Sequence, residues 1–245
     1  MMDEVELWLL RPVQVLGLAP LAGAWLGAED LEGFRGPRQG PAYEGWLGRQ
    51  VALRAVLADY LRADPRTLHL RREKGGKPCL AGDQGPRFST SSSGGWWLAA
   101  FSDREVGVDL EFVGPGPEPQ TVAQCYFSES ELACLQAARS PRERQSLFHR
   151  FWTRKEALLK LRGVGLSGLA ALSQEGSARA YWLEDLDLLP DCSASLAMRQ
   201  APSWVRLRRW EGSGADPRYS GLRETGISGR LARPGAIMEQ QHVGR

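Results

Sequence analysis

Lysine is scarce in this chain of 245 residues: only four of its 31 basic side chains are lysine (Lys74, Lys77, Lys155, Lys160), and the others are arginine. Cysteine and histidine are equally thin. The four cysteines (Cys79, Cys125, Cys134, Cys192) form no Cys-x-x-Cys pair and the three histidines (His69, His149, His242) stand far apart, so no zinc site is expected and free thiols in a reducing compartment are. No run approaches the roughly 20 unbroken apolar residues of a membrane span. The chain opens acidic at Asp3, Glu4 and Glu6, where a secretory signal is basic, and a cytoplasmic protein is expected. The net charge of +2 excludes a large basic field, so nucleic acid is not an expected partner and any anion site must be local.

The 42% of hydrophobic and 24% of charged residues suit a globular core in one large or two small domains. In residues 4–10, Val5, Leu7 and Leu9 alternate with Glu4, Glu6 and Trp8, the period of a half-buried strand. Helical spacing runs over 43–61 and stops at Asp64-Pro65, and 67–70 reads as a short strand. Residues 96–102 and 106–112 read as two strands joined by Asp103-Arg104-Glu105, a hairpin pattern.

Residues 114–119 alternate glycine and proline up to Glu118-Pro119 and mark a linker at 112–119, dividing an N-terminal part (1–111) from a C-terminal part (120–211). Ser128-Glu129-Ser130-Glu131 has capping-box spacing and predicts a helix from Glu129, and Ser140-Pro141-Arg142-Glu143 predicts a second that runs to Arg162 and stops at Gly163. Residues 194–198 and 205–210 are candidate final strands. The Gly- and Arg-rich residues 212–245 lack a hydrophobic period and predict a poorly ordered tail.

Several short patterns could carry chemistry. Asp109 and Glu111 project from one face of a strand and could offer two hard oxygen ligands to one cation, although acids also alternate on any solvated strand face. On the second predicted helix Glu156 and Lys160, four apart, share a face with Trp152, as a surface ion pair would too. The run Phe88-Ser89-Thr90-Ser91-Ser92-Ser93-Gly94-Gly95 could cradle phosphate oxygens or be a polar loop. Gly76-Lys77-Pro78 puts a lysine on a turn.

Taken in order, Gly76-Lys77-Pro78, the serine run, Val106-Gly107-Val108-Asp109-Leu110-Glu111 and Phe151-Trp152-x-x-Lys155-Glu156-Ala157-x-x-Lys160 resemble the Sfp-type 4′-phosphopantetheinyl transferases. The resemblance covers about residues 2–211, including Tyr126-Phe127-Ser128-x-x-Glu131 and Gly163-x-Gly165-Leu166. It implies an α+β fold, a monomer of two similar subdomains packed as a pseudo-dimer, with coenzyme A and Mg²⁺ in the cleft between them. It implies that Asp109, Glu111 and Glu156 are metal ligands, that Glu156 is also the base for the acceptor serine, and that Lys160 contacts the diphosphate. Lys77 would meet the nucleotide end and Ser91 and Ser92 the phosphates, with Lys155 supporting. Members usually have Asn at the position of Ser89 and His at that of Ser92; serine keeps one donor, but a shorter one that is never cationic.

The activity so implied is transfer of the 4′-phosphopantetheine arm of coenzyme A to a serine of an apo acyl or peptidyl carrier protein of fatty-acid, polyketide or non-ribosomal peptide synthesis, releasing adenosine 3′,5′-bisphosphate. Carrier recognition is expected near Phe127 and the first capping-box helix. A non-catalytic coenzyme A or nucleotide-binding module is the alternative. Nucleic-acid binding through the interleaved Trp204-Val205-Arg206-Leu207-Arg208-Arg209-Trp210 is a third, set against an ordinary half-exposed strand.

Overall fold

Alternating and helical patterns predict strands at both ends of the chain and two long helices, and a computed structural model contains both; it describes residues 4–82, 85–114, 120–169 and 181–209. In chain order these form β1 (Glu4–Leu10), α1 (Pro12–Leu18), α2 (Ala22–Trp25), α3 (Ala28–Leu31), α4 (Pro41–Leu61), β2 (Leu70–Arg72), β3 (Pro78–Leu80), β4 (Arg87–Ser93), β5 (Trp96–Ser102), β6 (Val106–Phe112), α5 (Gln120–Tyr126), α6 (Glu129–Gln136), α7 (Pro141–Arg162), β7 (Trp182–Asp185), β8 (Cys192–Met198) and β9 (Trp204–Arg209). Among the described residues no helix is long and apolar enough to cross a membrane.

The strands form a four-stranded sheet in the order β4-β5-β1-β9, a three-stranded sheet in the order β6-β8-β7 and the small β2–β3 pair. Val5, Leu7, Leu9, Leu98 and Ala100 of the larger sheet share a core with Val106, Val108, Leu110 and Leu196 of the smaller. On the larger sheet's other face Trp8, Leu10, Trp97 and Phe101 pack with Val51, Val56 and Leu57 of α4. Helix α7 covers the smaller sheet, where Ala157 and Leu161 meet Ala197. Two sheets therefore lie between two long helices.

The first capping box forms, with Glu131 N donating to Ser128 Oγ and Ser128 N to Glu131 Oε2. The second forms only in part, since Glu143 N donates to Ser140 Oγ but the Glu143 carboxylate accepts from Arg139 N, and Gly163 ends α7 with φ +64°. Helix α4 is buried from Val51 through Ala58 because α1 closes over its outer side; a Cβ on Gly48 would stand 1.8 Å from the carbonyl oxygen of Val15. Within that run Arg54 is satisfied by the carbonyls of Pro65 and Leu68 and by Asp30.

Several expectations are corrected. β1 is central, so Trp8 is buried too and the strand is covered on both faces. Residues 65–67 form a 3-10 turn and the strand after them begins only at Leu70. β5 and β6 do not pair as a hairpin: β5 bonds to β4 and β1, β6 to β8, and the turn at 103–105 carries the chain from one sheet to the other. The serine run is a strand, not a loop. Across the 112–119 segment, β6 pairs with β8 while β9 returns to pair with β1. Residues 115–119 of the linker, Trp210 and the 212–245 tail lie outside the described residues.

Candidate active site between β6, α7 and β4

Gly107 sets the spacing of the site. On β6 it faces α7, and a Cβ there would stand 2.0 Å from the carbonyl oxygen of Ala157 and 2.5 Å from the nitrogen of Leu161, so only glycine admits the helix this closely. Strand alternation then puts Asp109 and Glu111 on the same face, toward α7, whose helical period brings Trp152, Glu156 and Lys160 to one side.

Asp109 is buried, and its Oδ1 accepts from Lys160 Nζ and from Ser91 Oγ, both at 2.7 Å. Its Oδ2 is buried with no hydrogen-bond partner. Glu111 Oε2 accepts from Ser93 Oγ at 2.8 Å. Lys160 thus pairs with Asp109 rather than with Glu156, and Glu156 has no hydrogen bond or ion pair among the described residues. Burial, followed by the charges of Asp109 and Glu111, holds the Glu156 carboxyl above its ordinary pKa against the opposing Lys160. Burial likewise raises Glu111, opposed by the Ser93 hydrogen bond and reinforced by Asp109.

Among the described residues no three acidic, histidine or cysteine side chains converge closely enough to enclose a metal ion by themselves. The donor chemistry nevertheless fits Mg²⁺, which is satisfied by one or two carboxylates together with water and phosphate oxygens. Asp109 Oδ2, the free oxygen of Glu111 and the unpartnered Glu156 are hard oxygens on one wall, and an unsatisfied buried carboxylate oxygen is costly unless a cation meets it.

These groups border a cleft of about 720 Å³ that runs between α4 and α7 along the edge strand β4. Ser91 and Ser92 both border it, from opposite faces of β4. Ser91 directs its proton to Asp109, whereas Ser92 is exposed and carries the hydroxyl open to the cleft. Lys77 lines the cleft as well, but its ammonium is bound by Glu105 Oε2 at 3.0 Å and the Val106 carbonyl at 2.9 Å, with the side chain 8% exposed. It ties the β2–β3 turn to the start of β6. The half-buried cation the sequence did not single out is Arg49 on α4, which borders the cleft with no ion pair among the described residues. Its place next to Gly48, where α4 meets α1, was the available signal.

Lys155 points away from the cleft. Its Nζ pairs with Glu131 Oε2 at 2.8 Å and lies 5.4 Å from the centre of the Phe127 ring, while the same Glu131 oxygen caps the Ser128 nitrogen. The Phe127-to-Glu131 corner is thereby fastened to α7. At the far edge, Glu6 pairs with Arg208 at 2.6 Å and with Arg206 at 3.9 Å, so the basic β9 pattern is partly neutralised within its own sheet.

The model of the 4′-phosphopantetheinyl transferase superfamily matches residues 105–197, which hold β6, α7 and all three carboxylates. A Synechocystis protein named "Putative 4′-phosphopantetheinyl transferase" is 32% identical over 196 residues, 76% of each chain. The 4′-phosphopantetheinyl transferase HetI of Nostoc is 29% identical over 214 residues, 80% of this chain and 88% of its own. Sfp of Bacillus subtilis is 30% identical over 126 residues, 51% of this chain and 54% of its own. With the matched segment coinciding with the acid-lined wall, the chain belongs to the 4′-phosphopantetheinyl transferase superfamily.

Proposed function

We propose that the chain transfers the 4′-phosphopantetheine arm of coenzyme A to a serine of an apo carrier protein, acting as a monomer in the cytoplasm. The observation that carries the reading is the facing of Asp109 and Glu111 on β6 with Glu156 and Lys160 on α7, inside the segment matched by the superfamily. The carrier is an acyl or peptidyl carrier domain of fatty-acid, polyketide or non-ribosomal peptide synthesis. The two long helices, each over one sheet, support a pseudo-dimer of similar halves, 1–111 and 120–211, that exchange β6 and β9.

In the reaction the serine oxygen attacks the β-phosphorus of coenzyme A, the P–O bond to the adenosine 3′,5′-bisphosphate half breaks, and that half leaves. A serine is a poor nucleophile while it keeps its proton. Glu156, unpartnered and held by burial above its ordinary pKa, is suited to take it. Lys160 can pass from Asp109 to a diphosphate oxygen and offset the charge that gathers there. Mg²⁺, held by Asp109, Glu111 and Glu156, would supply further charge neutralisation on the diphosphate. Ser92 offers a hydroxyl and Arg49 a cation to the nucleotide end, with Lys77 beside them. Burial lowers the pKa of Arg49, yet a guanidinium remains charged at neutral pH.

Incubating the protein with coenzyme A, Mg²⁺ and a panel of apo carriers, and weighing each carrier, tests the reading. One carrier at least gains the mass of a phosphopantetheine group. Coenzyme A binding without a mass gain on any carrier would instead establish the non-catalytic module.

A further inference from the structure

We infer that Ser93 is a positioning residue for transfer: its hydroxyl holds one oxygen of Glu111 and leaves the other to the divalent cation. The inference rests on the reading of Glu111 as a metal ligand. Phe112 N donates to Ser93 Oγ at 3.1 Å, and Ser93 Oγ donates to Glu111 Oε2 at 2.8 Å. A serine hydroxyl has a single proton. Because the oxygen already accepts from a main-chain N–H, that proton is directed to the carboxylate, and Oε2 is held while Oε1 has no partner among the described residues.

The strand end that carries Ser93 is fixed by its surroundings. Ser93 pairs with Trp96 across a two-residue turn of Gly94 and Gly95, whose φ values of +58° and +79° belong to the left-handed region that a tight hairpin turn requires. A Cβ on Gly94 would stand 3.0 Å from the Phe112 ring and one on Gly95 3.1 Å from Pro12, so the turn is wedged between them. The Phe112 ring also stacks on Trp96 with centres 6.4 Å apart. The residue whose N–H feeds Ser93 therefore also presses on the turn that presents it.

Earlier on the strand pair the two bonds are divided between two serines: Ser89 Oγ accepts from Val108 N at 3.1 Å and Ser91 donates to Asp109. Asp109 additionally has Lys160. Ser93 is the one hydrogen-bond partner of Glu111 among the described residues, so Glu111 is the acid whose orientation depends on a single serine.

The test is a titration of Mn²⁺ into metal-free protein, reading free Mn²⁺ by electron paramagnetic resonance, for wild type, Ser93→Ala, Ser93→Thr and Glu111→Ala, with melting curves on each. Ser93→Ala should weaken Mn²⁺ binding about tenfold, the low end for a partner that orients a metal ligand. In transfer assays the Mg²⁺ concentration needed should rise by a similar factor, with kcat at saturating metal within roughly threefold of wild type. Ser93→Thr keeps the hydroxyl and should bind Mn²⁺ within about twofold of wild type. If Ser93→Ala folds poorly, Ser93→Cys, similar in size with a weak donor, should fall between wild type and Glu111→Ala. Wild-type Mn²⁺ binding by the folded Ser93→Ala or Ser93→Cys protein, with weakened binding by Glu111→Ala, overturns the role of Ser93 alone. Wild-type binding by Glu111→Ala overturns the reading of Glu111, and the inference with it.

Discussion

Helices α4 and α7, of 21 and 22 residues, each cover one sheet, and each reaches a neighbour over a single glycine, Gly48 against α1 and Gly107 under α7. Their sequences then diverge. α4 buries eight consecutive residues from Val51 to Ala58, enclosed by α1 on one side and the larger sheet on the other. α7 buries Thr153, Lys155, Ala157, Leu159 and Leu161 and leaves Trp152, Glu156 and Lys160 on the cleft. One helix is scaffold along most of its length, while the other keeps a polar edge whose half-buried carboxylate, Glu156, is unfavourable for stability and useful for chemistry. Substitutions in the two helices should therefore separate folding from transfer.

The largest effect is expected in the scaffold. Leu57→Ala removes a fully buried side chain from α4 and should cost about 2–5 kcal/mol, read by denaturant unfolding. Transfer activity per folded molecule should stay near wild type; a matching loss in kcat at temperatures where the variant is folded would break the comparison. On the other side, Asp109→Ala should lower transfer by at least about a hundredfold, beyond the usual effect of losing a group that merely orients a ligand. Its fold should survive, because the released Lys160 is 26% exposed and reaches solvent. Full turnover by Asp109→Ala in chelator would remove the metal assignment.

A smaller change is expected at the open hydroxyl of β4. Ser92→His introduces a longer donor that is partly cationic near neutral pH, and coenzyme A should bind up to about tenfold more tightly. Calorimetry should find the gain larger at pH 6 than at pH 8. Unchanged affinity at pH 6 would show that Ser92 does not face a phosphate.

The smallest effect is on the stability of the metal-free protein. The folded pKa of Glu156 is raised, chiefly by burial and then by Asp109 and Glu111, so the folded protein keeps that proton to higher pH than the unfolded chain. The contribution is fully present below the unfolded pKa and is lost as pH rises through the folded one. Glu156→Gln, with no charge to bury, should melt above wild type at pH 7, and the gap should close as pH falls toward 4. A gap that widens toward acid would reverse the sign of the argument.

How much of this was legible in the sequence depended on whether a signal was local. The bounds of α6 and α7 lie within a few residues of their caps, because Ser128, Ser140 and Gly163 act on neighbouring backbone groups. The facing of Asp109 and Glu111 toward one side followed from strand alternation alone. Pairing partners were not legible: the turn at 103–105 suits a hairpin, but nothing local says that β6 will join β8 instead. β4 was obscured because five hydroxyl residues before two glycines have the composition of a loop, and their hydrogen bonds to β6 come from residues 18 or 19 positions away. The engagement of Lys77 by Glu105 is non-local in the same sense.

The central claim is that the cleft edge of α7 performs transfer while the opposite wall holds coenzyme A, and single-turnover transfer by Glu156→Gln tests it most directly. Saturating Mg²⁺, coenzyme A and apo carrier are mixed with wild type or variant, the carrier is weighed over time, and coenzyme A affinity is measured in parallel. The account predicts coenzyme A binding within about threefold of wild type and transfer slower by roughly 10²–10⁴-fold, the range lost with a general base. Transfer at the wild-type rate by Glu156→Gln would contradict it.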